Sequence, residues 1–315
     1  MLPFARVTVI GFGLIGSSIA RAVRATMPDV RLTGHDADPA VRVRAEELRL
    51  FDDIADGAGA AVTDADLVIL AVPVLATEAV ARDIADDLPD DAVVSDVGSV
   101  KAKVAEWLSA HIARPERIIP AHPVAGTENS GPDAGFAALF RKRWCILTPS
   151  EQADALAIER LSDFWRRLGS DVELMDAEHH DVVLAVTSHL PHLIAYTIVG
   201  TATDVEEVTN SEVIKYSAGG FRDFTRIAAS DPTMWRDVFL GNKTAVLEVL
   251  QRFTEDLTAL QRAIRWDDGD ALFAHFSKTR DTRRRVIDAG QDTEAPDFGR
   301  GAVKDAIPSP PSSRS

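Results

Sequence analysis

Apolar positions follow two rules along the chain. Up to about residue 175, short runs rich in Val, Ile and Leu alternate with stretches of helical character. Runs at 6–10, 31–35, 67–72, 93–96, 117–121, 145–148 and 171–175 are predicted strands. Several are almost wholly apolar, as strands are when both faces of a sheet are covered. The alternation predicts an α/β fold with a doubly wound, mostly parallel sheet. Beyond it, residues 176–205, 233–266 and 269–289 carry apolar residues at three- and four-residue spacing, so an all-α region follows. Between the first two of these helices lies "YSAGGFRDFTRIAASDPTMW", too rich in glycine and charge for a plain connection. Past about residue 291 the apolar period is lost and the chain ends in "PSPPSSRS", a composition that predicts disorder. The expected division is 1–174, 175–290 and 291–315.

Composition narrows this picture. The 315 residues are 46% hydrophobic, enough for a large core. Cys145 is the single cysteine, which rules out an internal disulfide and fits a reducing, cytoplasmic setting. A formal net charge of −15 argues against nucleic acid or an anionic membrane as partner. It also means that an anionic ligand would need a local cluster of cations. No secretory signal is expected at "MLPFARVTVIG", and no run of about 18 uncharged apolar residues predicts a membrane span.

The stretch "VTVIGFGLIGSSIARAV" places Gly11, Gly13 and Gly16 between a predicted strand and a predicted helix. Glycines at this spacing alone are weak evidence, but Asp36 ends the second strand twenty residues after Gly16. In this setting Gly11 permits the turn, Gly13 lets backbone approach a pyrophosphate, and Gly16 lets helix and sheet close. The helix N-terminus then offers free N–H groups and its positive dipole end. Asp36 would bind the ribose hydroxyls and repel a 2′-phosphate, which favours NAD over NADP. Arg42 and Arg44 keep NADP open. Leu14 and Ile15 in the loop, with Val72 and Pro73 where the third predicted strand ends, are further cofactor-lining candidates.

Four more stretches, "SDVGSVK", "HPVAGTENSG", "SHLPH" and "GGFRDFTRIAASDPTMW", occur in this order. With the glycine loop they resemble the bacterial prephenate/arogenate (cyclohexadienyl) dehydrogenase family, over a span reaching about Ala289. The resemblance implies a Rossmann domain followed by an all-α dimerisation domain that forms a homodimer. It implies NAD-dependent oxidative decarboxylation of prephenate or arogenate in tyrosine biosynthesis. A fused chorismate mutase or regulatory domain, present in some members, is not expected here.

Candidate residues follow. His122 sits where open α/β sheets place ligands, and imidazole titrates in the range a general base needs. A strand-end cap is the structural alternative. Ser99 matches the family serine that orients this histidine; capping a helix that starts near Val100 is its alternative. Lys101 and Lys103 read as solvated helix charges. Glu128 matches a family glutamate at the site mouth, where it would gate or meet a cationic partner. By resemblance His189 contacts the substrate side chain, while His180 and Asp181 stabilise the domain junction. Pro191 suggests a bend, and the His spacing lacks a metal-binding pattern, so no metal is expected. Arg226 is the candidate carboxylate fork, with Arg222 and Asp223 as a structural pair. Trp235 matches a family tryptophan that reaches the neighbouring subunit's site; core packing is its alternative. Two other readings remain, a Rossmann-plus-helical dehydrogenase of small hydroxy acids and a non-catalytic NAD-sensing module. The first lacks its catalytic lysine motif, and the second would not need His122, Ser99 and Arg226 together.

Overall fold

The computed structural model describes residues 2–127, 129–209 and 218–288. Strands β1 (Arg6–Ile10), β2 (Arg31–His35), β3 (Asp53–Ile54), β4 (Leu67–Leu70) and β5 (Val93–Asp96) form a parallel sheet in the order β3-β2-β1-β4-β5. Both faces are covered. Val7, Val9, Leu67 and Ile69 enter one core, while Ile10, Val68, Leu70 and Val94 enter the other. That is why these strands read as continuous apolar runs. The two-residue β3 is too short to show any alternation in the sequence.

A second sheet joins β6 (Ala121–Pro123), β7 (Trp144–Leu147) and β8 (Asp171–Leu174), with β6 antiparallel and β8 parallel to β7. The strand expected at 117–121 is the seam between the sheets. Val94 bridges Ile118, and the Ile119 N–H donates to the Val94 carbonyl at 2.9 Å. Pro120 then has no N–H to give. The Ala121 N–H donates to the Asp96 carboxylate at 3.2 Å, so a side chain replaces the next ladder bond. The polypeptide is thereby held across β5 just where His122 emerges.

From Ala177 onward the described residues are helical or in the short turns that join helices. Helix Ala177–Leu184 passes through a π turn, Ala185–His189, into helix Leu190–Thr209. Pro191 accounts for the irregularity, since it lacks an N–H and its ring crowds the carbonyl of Thr187. One helix is expected over 233–266, but two are present, Pro232–Gly241 and Lys243–Arg265, broken at Asn242 (φ −102°, ψ 35°). Asp38, Asp154, Asp176 and Asp231 cap helix starts with their side chains. Trp235 and Val238 from Pro232–Gly241 pack into the core that contains Val68 and Val94, so helical region and sheet share a core.

One composition-based expectation needs correction. Residues Ala177–Asp204 are long and apolar enough to cross a membrane by length and composition. Within that stretch His180, Asp181 and His189 are buried in the chain's own polar core, which ties the helix to the folded body. The tail expected to be disordered, 291–315, lies outside the described residues.

Candidate active site

The cofactor half is built from backbone. Gly11 has φ +98°, and a Cβ there would lie 2.4 Å from the Ala71 carbonyl oxygen; one on Gly16 would lie 1.9 Å from that of Gly11. Both positions therefore require glycine for the fold itself. A Cβ on Gly13 would meet nothing within 4 Å. Gly13 is the N-cap of helix Leu14–Thr26, with no side-chain cap and no acid in the first turn. The loop thus leaves open space before free helix N–H groups, which fits a pyrophosphate. Leu14 and Ile15 form the first turn half-buried; Val72 is half-buried and Pro73 exposed just after β4.

Asp36 closes this loop as well as facing it. Its Oδ2 accepts from the Phe12 N–H at 2.7 Å and its Oδ1 from the Asp38 N–H at 2.9 Å. Each oxygen keeps a lone pair for a ribose hydroxyl. The two arginines that left NADP open are engaged elsewhere. Arg44 is held by Asp133 at 2.6 Å and by Glu47 at 2.6 Å, and Arg42 donates to the Asp36 carbonyl at 2.8 Å.

His122 stands on β6, 8% exposed, with its Nδ1 2.9 Å from His180 Nε2. Burial pushes its pKa well below the usual value, and His180, Lys101 and His189 add to the shift. The imidazole is therefore neutral at physiological pH, the form a proton acceptor needs. Ser99 is half-buried in the segment after β5. It does not cap the next helix, which starts at Ala102 and takes its cap from Asp181, whose oxygens accept from Lys101 N–H at 2.8 Å and Ala102 N–H at 3.0 Å.

Lys101 departs furthest from expectation. It is fully buried, pairs with Asp96 and donates to the Ala121 carbonyl at 2.7 Å. Burial pushes Asp96 up and Lys101 down, each opposed by its partner's charge. Lys103 behaves as expected on the surface, paired with Glu106 at 2.8 Å. The sequence did carry a hint: Lys101 follows an acid at a strand end and lies among Val97, Val100 and Val104, a poor setting for a solvated charge.

The carboxylate-binding half is more open. His189 is fully buried; Asn242 Nδ2 donates to its Nδ1 at 3.1 Å, and its Nε2 has no partner among the described residues. Burial pulls its pKa down to about 4. Asn242 was not visible as a site residue, because it sits inside what reads as one helix. His192, also not singled out for contact, stacks on Trp235 with centroids 3.7 Å apart. Trp235 is only 6% exposed and lies in its own subunit's core. That is the packing alternative, although its Nε1 is buried without a partner among the described residues. Arg226 is exposed at the start of a short 3-10 turn, Arg226–Ala229, and helps hold down the pKa of His192. No carboxylate among the described residues pairs with it. Arg222 and Asp223 form the expected surface pair at 2.9 Å. Glu128 lies outside the described residues.

Two family models match this arrangement. Prephenate dehydrogenase, nucleotide-binding domain, covers residues 19–174, and prephenate dehydrogenase, dimerization domain, covers 176–278. The chain belongs to the prephenate dehydrogenase family. It is 47% identical to a cyclohexadienyl dehydrogenase of Zymomonas mobilis over 283 residues, 90% of this chain and 96% of the relative. A prephenate dehydrogenase of Bacillus subtilis is 34% identical, with 87% of this chain and 74% of the relative covered. Among solved structures, prephenate dehydrogenase from A. aeolicus in complex with hydroxyphenyl propionate and NAD+ superposes with a TM-score of 0.83 at 33% identity, covering 91% of this chain and 98% of that one. The expected fold class, a Rossmann-type sheet followed by a helical dimerisation domain, is borne out by both family models and by this structure.

Proposed function

We propose that the chain oxidatively decarboxylates prephenate, arogenate or both in tyrosine biosynthesis, with NAD as cofactor and His122 as general base. The observation that carries the reading is His122 itself, a buried imidazole held neutral on the short strand β6, in a fold whose glycine loop leaves open space at Gly13. NAD, when bound, supplies the acceptor for the C4 hydride. Gly11, Gly13, Gly16 and Asp36 would hold it, with Leu14, Ile15, Val72 and Pro73 lining its site. His122 takes the proton of the C4 hydroxyl. Loss of hydride and proton leaves a ring ketone whose carboxylate is a vinylogous β-keto acid, so CO2 departs and the ring becomes aromatic. The hydroxyphenyl propionate bound by the A. aeolicus protein has the chemistry of such a product, a phenol bearing a carboxylate chain.

Arg226 supplies the cation for a substrate carboxylate, free of any carboxylate partner among the described residues. His189 Nε2 offers a second donor, since Asn242 occupies Nδ1 and leaves the proton on Nε2. Glu128 is assigned to the site mouth, Ser99 to orienting the hydroxyl, and Trp235 to the floor beneath His192. The helical domain forms a homodimer in the cytoplasm. Supporting this, Leu240, Leu257, Ile264, Trp266 and Phe273 are all exposed in the single chain, Trp266 by 69% and Phe273 by 74%.

The test is a steady-state assay of the purified chain with prephenate and with arogenate, each with NAD and NADP. Turnover of at least one acid, faster with NAD, is expected. No reduction of either cofactor with either acid sinks the reading.

A further inference from the structure

His122 has a fixed chain of partners behind it. Its Nδ1 faces His180 Nε2 at 2.9 Å, and His180 Nδ1 faces Asp181 Oδ1 at 2.9 Å. His180 is fully buried and Asp181 is 5% exposed. Asp181 is anchored independently. Its carboxylate caps helix Ala102–His111 through the Lys101 and Ala102 N–H groups, and its carbonyl accepts from Asn242 Nδ2 at 2.8 Å. A carboxylate at a helix N-terminus is stabilised by the helix dipole.

The polarity of this chain can be read from its far end. The Asp181 carboxylate only accepts, so His180 Nδ1 carries the hydrogen. The neutral ring's Nε2 is then an acceptor, and His122 must donate to it from Nδ1. That leaves the lone pair of His122 on Nε2, free for a substrate proton. The groups around His122 also sort themselves. Lys101 pairs with Asp96, His189 Nδ1 accepts from Asn242 Nδ2, and the side chain that faces the Asp181 carboxylate at ion-pair distance among the described residues is His180, at 2.9 Å.

We infer that His180 and Asp181 are positioning residues that fix the tautomer of His122 and receive the proton it displaces. This rests on His122 being the base. The substrate hydroxyl proton goes to His122 Nε2, the His122 Nδ1 proton goes to His180 Nε2, and the resulting imidazolium is held by Asp181. The two hops reverse after product leaves, returning the proton to water from His122 Nε2.

Asp181→Asn is the sharp variant, because, at the loss of the Lys101 cap that shares Oδ1, it keeps the shape and the oxygen that caps Ala102 while presenting an N–H to His180. That reverses both rings and puts a hydrogen on His122 Nε2. With prephenate and NAD, kcat should fall by about 10²–10⁴ while both KM values stay within a few-fold. His180→Gln should lower kcat similarly and move the acid limb of the pH profile. Nitrogen-15 spectra of histidine-labelled wild-type enzyme should show His122 as the Nδ1–H tautomer, and Asp181→Asn should convert it. An Nε2–H tautomer in the wild type overturns the inference even if neither variant folds. So do folded variants with wild-type kcat and pH profile while His122→Asn is inactive. If His122→Asn itself turns over normally, the base assignment fails instead.

Discussion

The two halves of the site are made from different materials. Around the glycine loop, the constraints are steric and come from backbone: the Gly11 turn, the Gly16 approach to it, and the open space at Gly13. Around His122, side chains from β5, β6, the start of helix Ala102–His111, helix Ala177–Leu184, the π turn and Asn242 are knitted into one buried polar network. A backbone site is intolerant of added atoms and nearly indifferent to charge. A buried polar network is the reverse, since each group removed strands another without a partner.

The largest effect should come from stranding a charge. Lys101→Met leaves Asp96 buried and unpaired, and should cost about 3–5 kcal/mol in urea denaturation with an unchanged slope. Adding Asp96→Asn should return part of that loss. Equal stability of Lys101→Met and wild type would show that the network is not held by this pair. Next come the glycines. Gly16→Ala forces a Cβ against the Gly11 carbonyl and should destabilise by about 1–3 kcal/mol. Gly13→Ala meets no protein atom, so stability should change by no more than about 1 kcal/mol, the worth of a helix cap. Its NAD affinity, measured by calorimetry, should nevertheless fall tenfold or more, about 1.4 kcal/mol. Equal NAD affinity in Gly13→Ala would place the pyrophosphate elsewhere. Smallest in stability is Arg226→Ala, within about 0.5 kcal/mol for an exposed residue. It should raise KM for the cyclohexadienyl acid far more than for NAD, with lysine restoring only part, because a point charge does not reproduce a planar fork. A normal KM would pass the carboxylate to another cation.

The same contrast explains what could be read from the sequence. The glycine loop and Asp36 are local, fixed by spacing along one strand–helix–strand unit, and the structure puts them where that spacing says. His122 was legible too, because it lies just past a predicted strand run and in a stretch that matches the family. Its partners were not. His122 meets His180 across 58 residues, Lys101 N–H meets Asp181 across 80, and Asn242 meets Asp181 across 61. No periodicity records such pairs. Lys101 therefore read as a solvated charge, and Asn242 as the interior of a continuous helix, when the helix breaks there to free its amide. Arg226 lies in the glycine-rich segment that the sequence singled out, yet its position beside His192 depends on how three helical segments converge.

The central claim is that His122 takes the hydroxyl proton, and the pH profile of turnover tests it most directly. Burial lowers its pKa, so the neutral form persists to lower pH than for a free imidazole. In the wild type, kcat/KM should fall on the acid side with an inflection below about pH 6.5, the unperturbed value. His122→Asn keeps shape and some hydrogen bonding but accepts no proton. Its kcat should drop by about 10²–10⁴, with near-normal binding of prephenate and NAD and no acid limb in the residual rate. A variant that turns over at the wild-type rate with the acid limb intact would contradict the account and leave His122 as a strand-end cap.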